Sequence, residues 1–310
     1  MEQIRTSIPA SGDGITLSLL ATVPAEAPKA VVQFVHGMAE HKERYLPVME
    51  FLSGKGFACV INDLRGHGQS VASPDGLGSF SKGGFKAATL DEFAVTTWCK
   101  ENYPGIPVFL FGHSMGSLLV REYCKEHDSD ISGLVVCGSP SANSAAGIGK
   151  VIARLIWMFN GWKYRSPMLA SMALGGYSRK FSKEGSRNAW ICSDKAVVDA
   201  YDADPLCGFN FTVNGYYNLF GLLKDTYSEK GWQVRNPSLP VLFIAGAKDP
   251  CIDGIRKFSR AVDFMRGRGY TDVSAKVYPD MRHEILNEKG KQAVWDDVAS
   301  ALGSWLSKIR

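Results

Sequence analysis

The sequence predicts an α/β fold, a mostly parallel central sheet flanked by helices with a helical block inserted into it. Three observations predict it. Short apolar runs alternate with helical periodicities through the first 138 residues and again after Pro240. Between Ser139 and about Asn236 that alternation stops, and the residues read as helices without strands. Lastly, Gly112-His113-Ser114-Met115-Gly116 stands where an apolar run ends and a helical stretch begins.

The elements follow in order. Strands are expected near Ile4–Ile8 and Ile15–Thr22, and an Ala- and Pro-rich linker follows. Val31–Val35 is continuously apolar, as a strand covered on both faces must be. A helix around Leu46–Lys55 leads to the strand Ala58–Asn62. The segment Phe85–Lys100 has helical spacing, with Thr89-Leu90-Asp91-Glu92 read as its start and Phe93 and Trp98 as anchors. Val108–Phe111, a helix Met115–Glu126 and the strand Gly133–Cys137 complete the first block. After the insertion come strand Val241–Ala245, a helix around Gly254–Arg266, strand Ala275–Tyr278 and a helix from about Lys291 to Ile309. Strand–helix alternation implies right-handed crossovers and a parallel sheet, with active groups at the carboxyl ends of its strands. The expected division is a core of residues 1–138 and 237–310 and a helical insertion of residues 139–236.

Bulk properties exclude several classes. A chain of 310 residues with 45% hydrophobic and 21% charged residues has the composition of a globular enzyme. A net charge of +4 without a dense Lys/Arg run does not favour a nucleic-acid partner. No run reaches the roughly 18–20 apolar residues of a membrane span, and Met1–Arg5 lacks the features of a secretory signal. Seven cysteines without C-x-x-C pairs argue against a disulfide framework or a zinc site. A reducing cytosol is the expected location, and no metal or cofactor is implied.

The chemistry centres on Ser114. A serine on a sharp strand-to-helix turn has its hydroxyl exposed above the sheet, and glycines two before and two after it avoid collisions. Gly112 and Gly116 supply them. In a chain with 32 glycines the pentapeptide alone is weak, and its strand–turn–helix context makes it specific. The base and acid then follow in the order Ser, Asp, His. His283 is the one histidine after the insertion, and Asp249 ends the preceding strand's turn. Asp253 is the competing acid, with a helix-start carboxylate as its plainer role. Amides of Met115 and Met38 are the candidate oxyanion donors, because Gly37 lets the first core loop pass close to the nucleophile. His36, His67 and His113 are read as structural histidines bonding loop backbone, although His113 is also a candidate to face substrate.

Taken together these residues resemble the α/β-hydrolase superfamily and, within it, the monoacylglycerol lipase and lysophospholipase group. The segment His36 to Tyr45 looks like that group's H-G-x-x-E-H-x-x-R-Y, Asp63 to Ser70 its D-x-R-G-H-G-x-S, and Gly112 to Gly116 its G-H-S-M-G. The resemblance implies an α/β-hydrolase fold and a serine esterase acting on lipid-like monoesters. It also implies that Glu40 and Arg44 help form a polar pocket for the leaving glycerol, against the alternative of a salt bridge at a helix start. The insertion matches the family's cap in position but not closely in sequence. Cys251 lies near a family pocket cysteine, one residue closer to the acid, so no role is transferred to it.

Within the insertion, Ile148, Val151, Ile152, Leu155, Ile156 and Phe159 form an apolar stripe. It is expected to pack on the main domain. The alternative is a lid that binds an acyl chain and touches a lipid aggregate weakly, with Trp157 and Trp162 at the interface and Trp157 as a substrate contact. The leading function is hydrolysis of a monoacylglycerol or lysophospholipid. A peptidase of the same fold would need a cap carboxylate to hold the substrate amine, for which Glu184, Asp194, Asp199 and Asp202 are candidates. A short-chain or aromatic esterase differs only in pocket depth, and a ligand receptor would not need the intact Ser, Asp and His.

Overall fold

The structure is a computed structural model and describes residues 1–309. Eight strands form one sheet: β1 (Glu2–Pro9), β2 (Thr16–Val23), β3 (Val31–Val35), β4 (Ala58–Asn62), β5 (Val108–His113), β6 (Gly133–Cys137), β7 (Val241–Gly246) and β8 (Val273–Tyr278). Their order is β1-β2-β4-β3-β5-β6-β7-β8. The β1–β2 and β2–β4 pairs are antiparallel, and every pair from β4 to β8 is parallel.

The pleat sorts side chains to two cores. Along β5, Val108 and Leu110 face one and Phe109 and Phe111 the other. The first core receives α2 (Gly84–Asn102), α3 (Met115–His127) and α8 (Ile255–Gly267). The second receives α1 (Leu46–Gly54) and α9 (Lys291–Ile309). Both faces being covered explains why β3, β4, β5 and β6 are buried at every residue. Between β6 and β7 the chain holds α4 (Ala145–Asn160), α5 (Pro167–Lys180), α6 (Lys195–Ala203) and α7 (Val213–Thr226), with no strand among the described residues.

One expected start is corrected. The helix read from Phe85 begins at Gly84, and Asp91 and Glu92 are buried inside it rather than capping it. Asp91 holds the Arg65 guanidinium through 2.7 and 2.9 Å hydrogen bonds. Glu92 accepts from Asn62 Nδ2 at 3.1 Å and Gln33 Nε2 at 3.2 Å under the sheet. Burial pushes its carboxyl up to about 8, aided by Asp91 and opposed by the two amide bonds.

The unfolded chain releases the Glu92 proton near the ordinary glutamate value of 4.5, whereas the folded protein keeps it to about 8. Stability from this group is therefore full below the first value and is lost as pH rises through the window between them. Glu92→Gln should match the wild type in Tm at pH 5 and exceed it at pH 8 by at least about 2 °C. Calorimetry across that range checks it; parallel Tm curves would contradict the assignment.

Candidate active site

Ser114 follows β5 and precedes α3 with φ 53° and ψ −118°. Such a conformation costs a non-glycine residue about 1–3 kcal/mol and persists only where the surroundings impose it. Here its amide donates to the Cys137 carbonyl at 2.9 Å. A Cβ at Gly116 would lie 2.1 Å from the Val35 carbonyl oxygen, and one at Gly112 would lie 2.6 Å from that of Gly116. Both glycines are thus required by backbone contact. The loop after β3 passes equally close, since a Cβ on Gly37 would meet Ser114 Cβ at 3.0 Å. Met38 and Met115 line the same cavity as Ser114, and neither amide has a protein acceptor among the described residues. Met115 opens α3, so its amide carries the helix's positive end.

Asp249 ends the turn after β7. Its Oδ1 accepts from the Cys251 amide at 2.8 Å, and its Oδ2 accepts from His283 Nδ1 at 2.9 Å. That bond leaves His283 Nε2 free. Asp253, the competing acid, is exposed in left-handed conformation and pairs with Lys257, away from any imidazole. His283 lies beyond β8 and is buried, with Trp190 on one side at 4.9 Å between ring centroids and His113 on another at 4.7 Å. Ser114 and His283 line one cavity of about 400 Å³, with the end of β6 between them. Ser114 bonds Cys137, and a Cβ on the next residue, Gly138, would lie 3.3 Å from His283 Nδ1. The Ser114 hydroxyl makes no hydrogen bond among the described residues.

A buried ion-pair network joins the two loops that flank the serine. Glu40 Oε1 accepts from the Gly37 amide at 2.6 Å and the Tyr45 hydroxyl at 3.0 Å, and lies 3.3 Å from His113 Nδ1. Its Oε2 accepts from Arg44 at 2.6 Å. Arg44 then grips Glu284, next to His283, through two bonds of 2.7 and 2.6 Å. Burial pushes the Glu40 carboxyl up, but His113 and Arg44 overcome this and hold it well below the usual carboxylate range. Burial likewise pulls His113 down, yet its bond to Glu40 and the charges of Glu40 and Glu284 leave it raised. Its Nε2 lies 3.3 Å from the His283 carbonyl.

These contacts revise two expected substrate residues. Glu40 and His113 line the cavity, but Arg44 does not; its guanidinium is held between two carboxylates. Trp157 also lies outside the lining, stacked on Trp162 at 4.8 Å and covered by Arg154. His36 is structural as expected, with Nδ1 donating to the Gly37 carbonyl at 2.8 Å and Nε2 accepting from the Leu64 amide at 2.9 Å. Sequence reading missed Glu284, Trp190, Tyr201 and Gly208. The Ala39 carbonyl accepts from Tyr201 at 2.8 Å and from the Gly208 amide at 2.9 Å, while Glu284 donates its amide to Ile191 at 2.7 Å. No linear pattern marks these links, because each joins segments far apart in the chain.

Several known proteins are similar to this chain. The profile of the family described as serine aminopeptidase, S33, matches residues 26–290. A monoacylglycerol lipase of Mycolicibacterium smegmatis is 28% identical over 94% of this chain and 95% of its own. A mouse monoglyceride lipase is 27% identical over 96% of this chain and 88% of its own. The crystal structure of a carboxyl esterase from Bacillus coagulans, in complex with glycerol, superposes with a TM-score of 0.89 at 25% identity, covering 99% of each chain. The chain belongs to the serine aminopeptidase, S33, family, within the monoacylglycerol lipase-like group of the α/β-hydrolases.

Proposed function

We propose that this carboxylic ester hydrolase cleaves lipid-like monoesters through an acyl-enzyme on Ser114. The observation that carries the reading is the Asp249-bound His283 sharing one cavity with Ser114, whose backbone is strained and whose hydroxyl is unpartnered among the described residues. Ser114 Oγ attacks the ester carbonyl as His283 Nε2 takes its proton, and Asp249 holds the tautomer and stabilises the imidazolium. The Met38 and Met115 amides receive the oxyanion, each donor being worth about 3 kcal/mol. His283 returns the proton to the departing alcohol. A water then repeats the sequence on the acyl-enzyme, releasing the acid and restoring the serine.

The cavity favours an acyl chain over a peptide. Leu118, Leu219, Phe220 and Leu223 supply an apolar wall from α3 and α7. Each methylene buried there contributes about 0.8 kcal/mol. The carboxylates in the lining are Glu40 and Glu284, and Arg44 occupies both. The acids considered for holding an amine all lie elsewhere. Glu184 binds Arg282, Asp194 caps α6, Asp199 binds Lys195, and Asp202 accepts from Ser186 and Asn188. A substrate ammonium therefore has no free carboxylate in the described lining, which weighs against aminopeptidase action.

Residues 139–236 act in this reading as the cap, and α4 as its contact with a lipid surface. The stripe expected to pack inward points outward: Ile148, Val151, Leu155 and Phe159 are 52–85% exposed, joined by Met158 at 65%. Only Ile152 and Ile156 of the stripe are partly buried against the core. An apolar helix face of this kind binds an interface weakly and reversibly. Trp157 and Trp162, packed inward with Tyr217, are not the interface.

Three outcomes are expected. Ser114→Ala abolishes labelling by a fluorophosphonate probe and lowers kcat on a monoacylglycerol by more than about 10⁴-fold; retained labelling would exclude Ser114. Arg44→Met lowers kcat about 10²-fold in protein shown to be folded by circular dichroism, and Arg44→Lys restores little because an ammonium cannot fork to both carboxylates. Wild-type turnover in the Met variant would remove the network from catalysis. Leu155→Asp with Phe159→Asp lowers activity on dispersed lipid about tenfold and leaves a soluble short-chain ester within about twofold. Equal losses on both substrates would refute the surface contact.

A further inference from the structure

The cavity carries one charge that the chemistry above does not use. Its two lining carboxylates, Glu40 and Glu284, are matched by Arg44 and by the imidazole of His113. Arg187 also lines it, is exposed, and makes no ion pair among the described residues. Its Nη2 donates to the Gly208 carbonyl at 2.7 Å, and that bond fixes the guanidinium to the wall while leaving its other N–H groups unused. Asp202, outside the lining, is engaged by Ser186 and Asn188, the residues on either side of Arg187, each at 2.6 Å. Arg165, outside the lining, is likewise bound only to backbone among the described residues, donating to the carbonyls of Asn210, Leu77 and Asp75. Tyr216, which lines the cavity, is pushed up to about 12 by burial, opposed by a backbone bond with Phe211 and then by the Arg187 and Arg165 charges.

The position of Arg187 selects which half of the substrate it meets. The departing oxygen must face His283, since that imidazole protonates it. Trp190 packs on the His283 ring, and Arg187 stands three residues before it in the same stretch of wall. From the other side, Gly208 links Arg187 to Ala39, the neighbour of Met38. Arg187 is therefore tied to the part of the lining that carries Trp190 and Ala39, beside His283, where the alcohol departs.

We infer that Arg187 selects substrates whose alcohol carries an anionic phosphate group, an acylated glycerophosphate or its diester, over neutral monoacylglycerols. This rests on the ester-hydrolase reading of the same cavity. A guanidinium matches phosphate oxygens in geometry and charge, and charge-assisted bonds of this kind are about twice as strong as neutral ones. Its exposure moderates the effect.

The test compares 1-octanoylglycerol, 1-octanoylglycerol 3-phosphate and 1-octanoylglycero-phosphoglycerol, all below their aggregation concentrations so that surface binding plays no part. Wild-type protein is compared with Arg187→Gln, Arg187→Lys and Arg187→Glu. Expected for the Gln variant is a fall in kcat/KM of about tenfold on the phosphate esters and a change within about twofold on octanoylglycerol. The Glu variant falls further and the Lys variant recovers part of the loss. Added salt should erode the wild-type preference. Losses on one phosphate ester alone would assign monoester or diester recognition. Equal effects on all three substrates, or no wild-type turnover of either phosphate ester, would overturn the proposal. No turnover of any ester by the wild type would instead refute the underlying hydrolase reading.

Discussion

A single guanidinium holds two loops in register. Arg44 lies between Glu40, which grips the loop carrying Met38, and Glu284, which adjoins His283. The loop after β3 and the loop after β8 come from distant positions in the sheet and share no backbone hydrogen bond with each other among the described residues. Without the bridge, two buried carboxylates would lose their shared cation, leaving only the His113 imidazole beside Glu40. Breaking one partner of such a pair typically costs 3–5 kcal/mol. The charge network is therefore a positional constraint first, and its stabilising energy is a by-product of satisfying groups already buried.

The same logic explains where strain is tolerated. Ser114 and Ala39 both have positive φ without being glycine. Each is pinned by hydrogen bonds from outside its own turn: Ser114 to Cys137 in the next strand, and Ala39 to Tyr201 and Gly208. A conformation that a free chain would abandon is kept because several independent elements agree on it.

How much of this could be read from residues alone depends on the range of the interaction. The bounds of β3, β4, β6 and α9 coincide with those expected, because apolar runs and helical spacing are local signals. Gly112, Gly116, Asp249 and His283 were legible for a related reason, since turn geometry and chain order constrain them. Glu284 was not, although it adjoins the histidine, because its role depends on an arginine 240 positions away. The stripe on α4 was found and its direction misjudged: periodicity locates an apolar face without saying what covers it. Asp91 and Glu92 misled for the complementary reason. Carboxylates near a helix start usually face solvent, and here tertiary partners bury both.

The Ala39 carbonyl has one further implication. Because its two acceptances come from Tyr201 and Gly208, the inserted helices are not a detachable module resting on an autonomous catalytic body. Grafting a foreign insertion onto this scaffold to alter selectivity would remove the clamp on the turn beside Met38. The outer surfaces of these helices have no part in that clamp, whereas the short stretch from Tyr201 to Gly208 that reaches back to the turn is held to it.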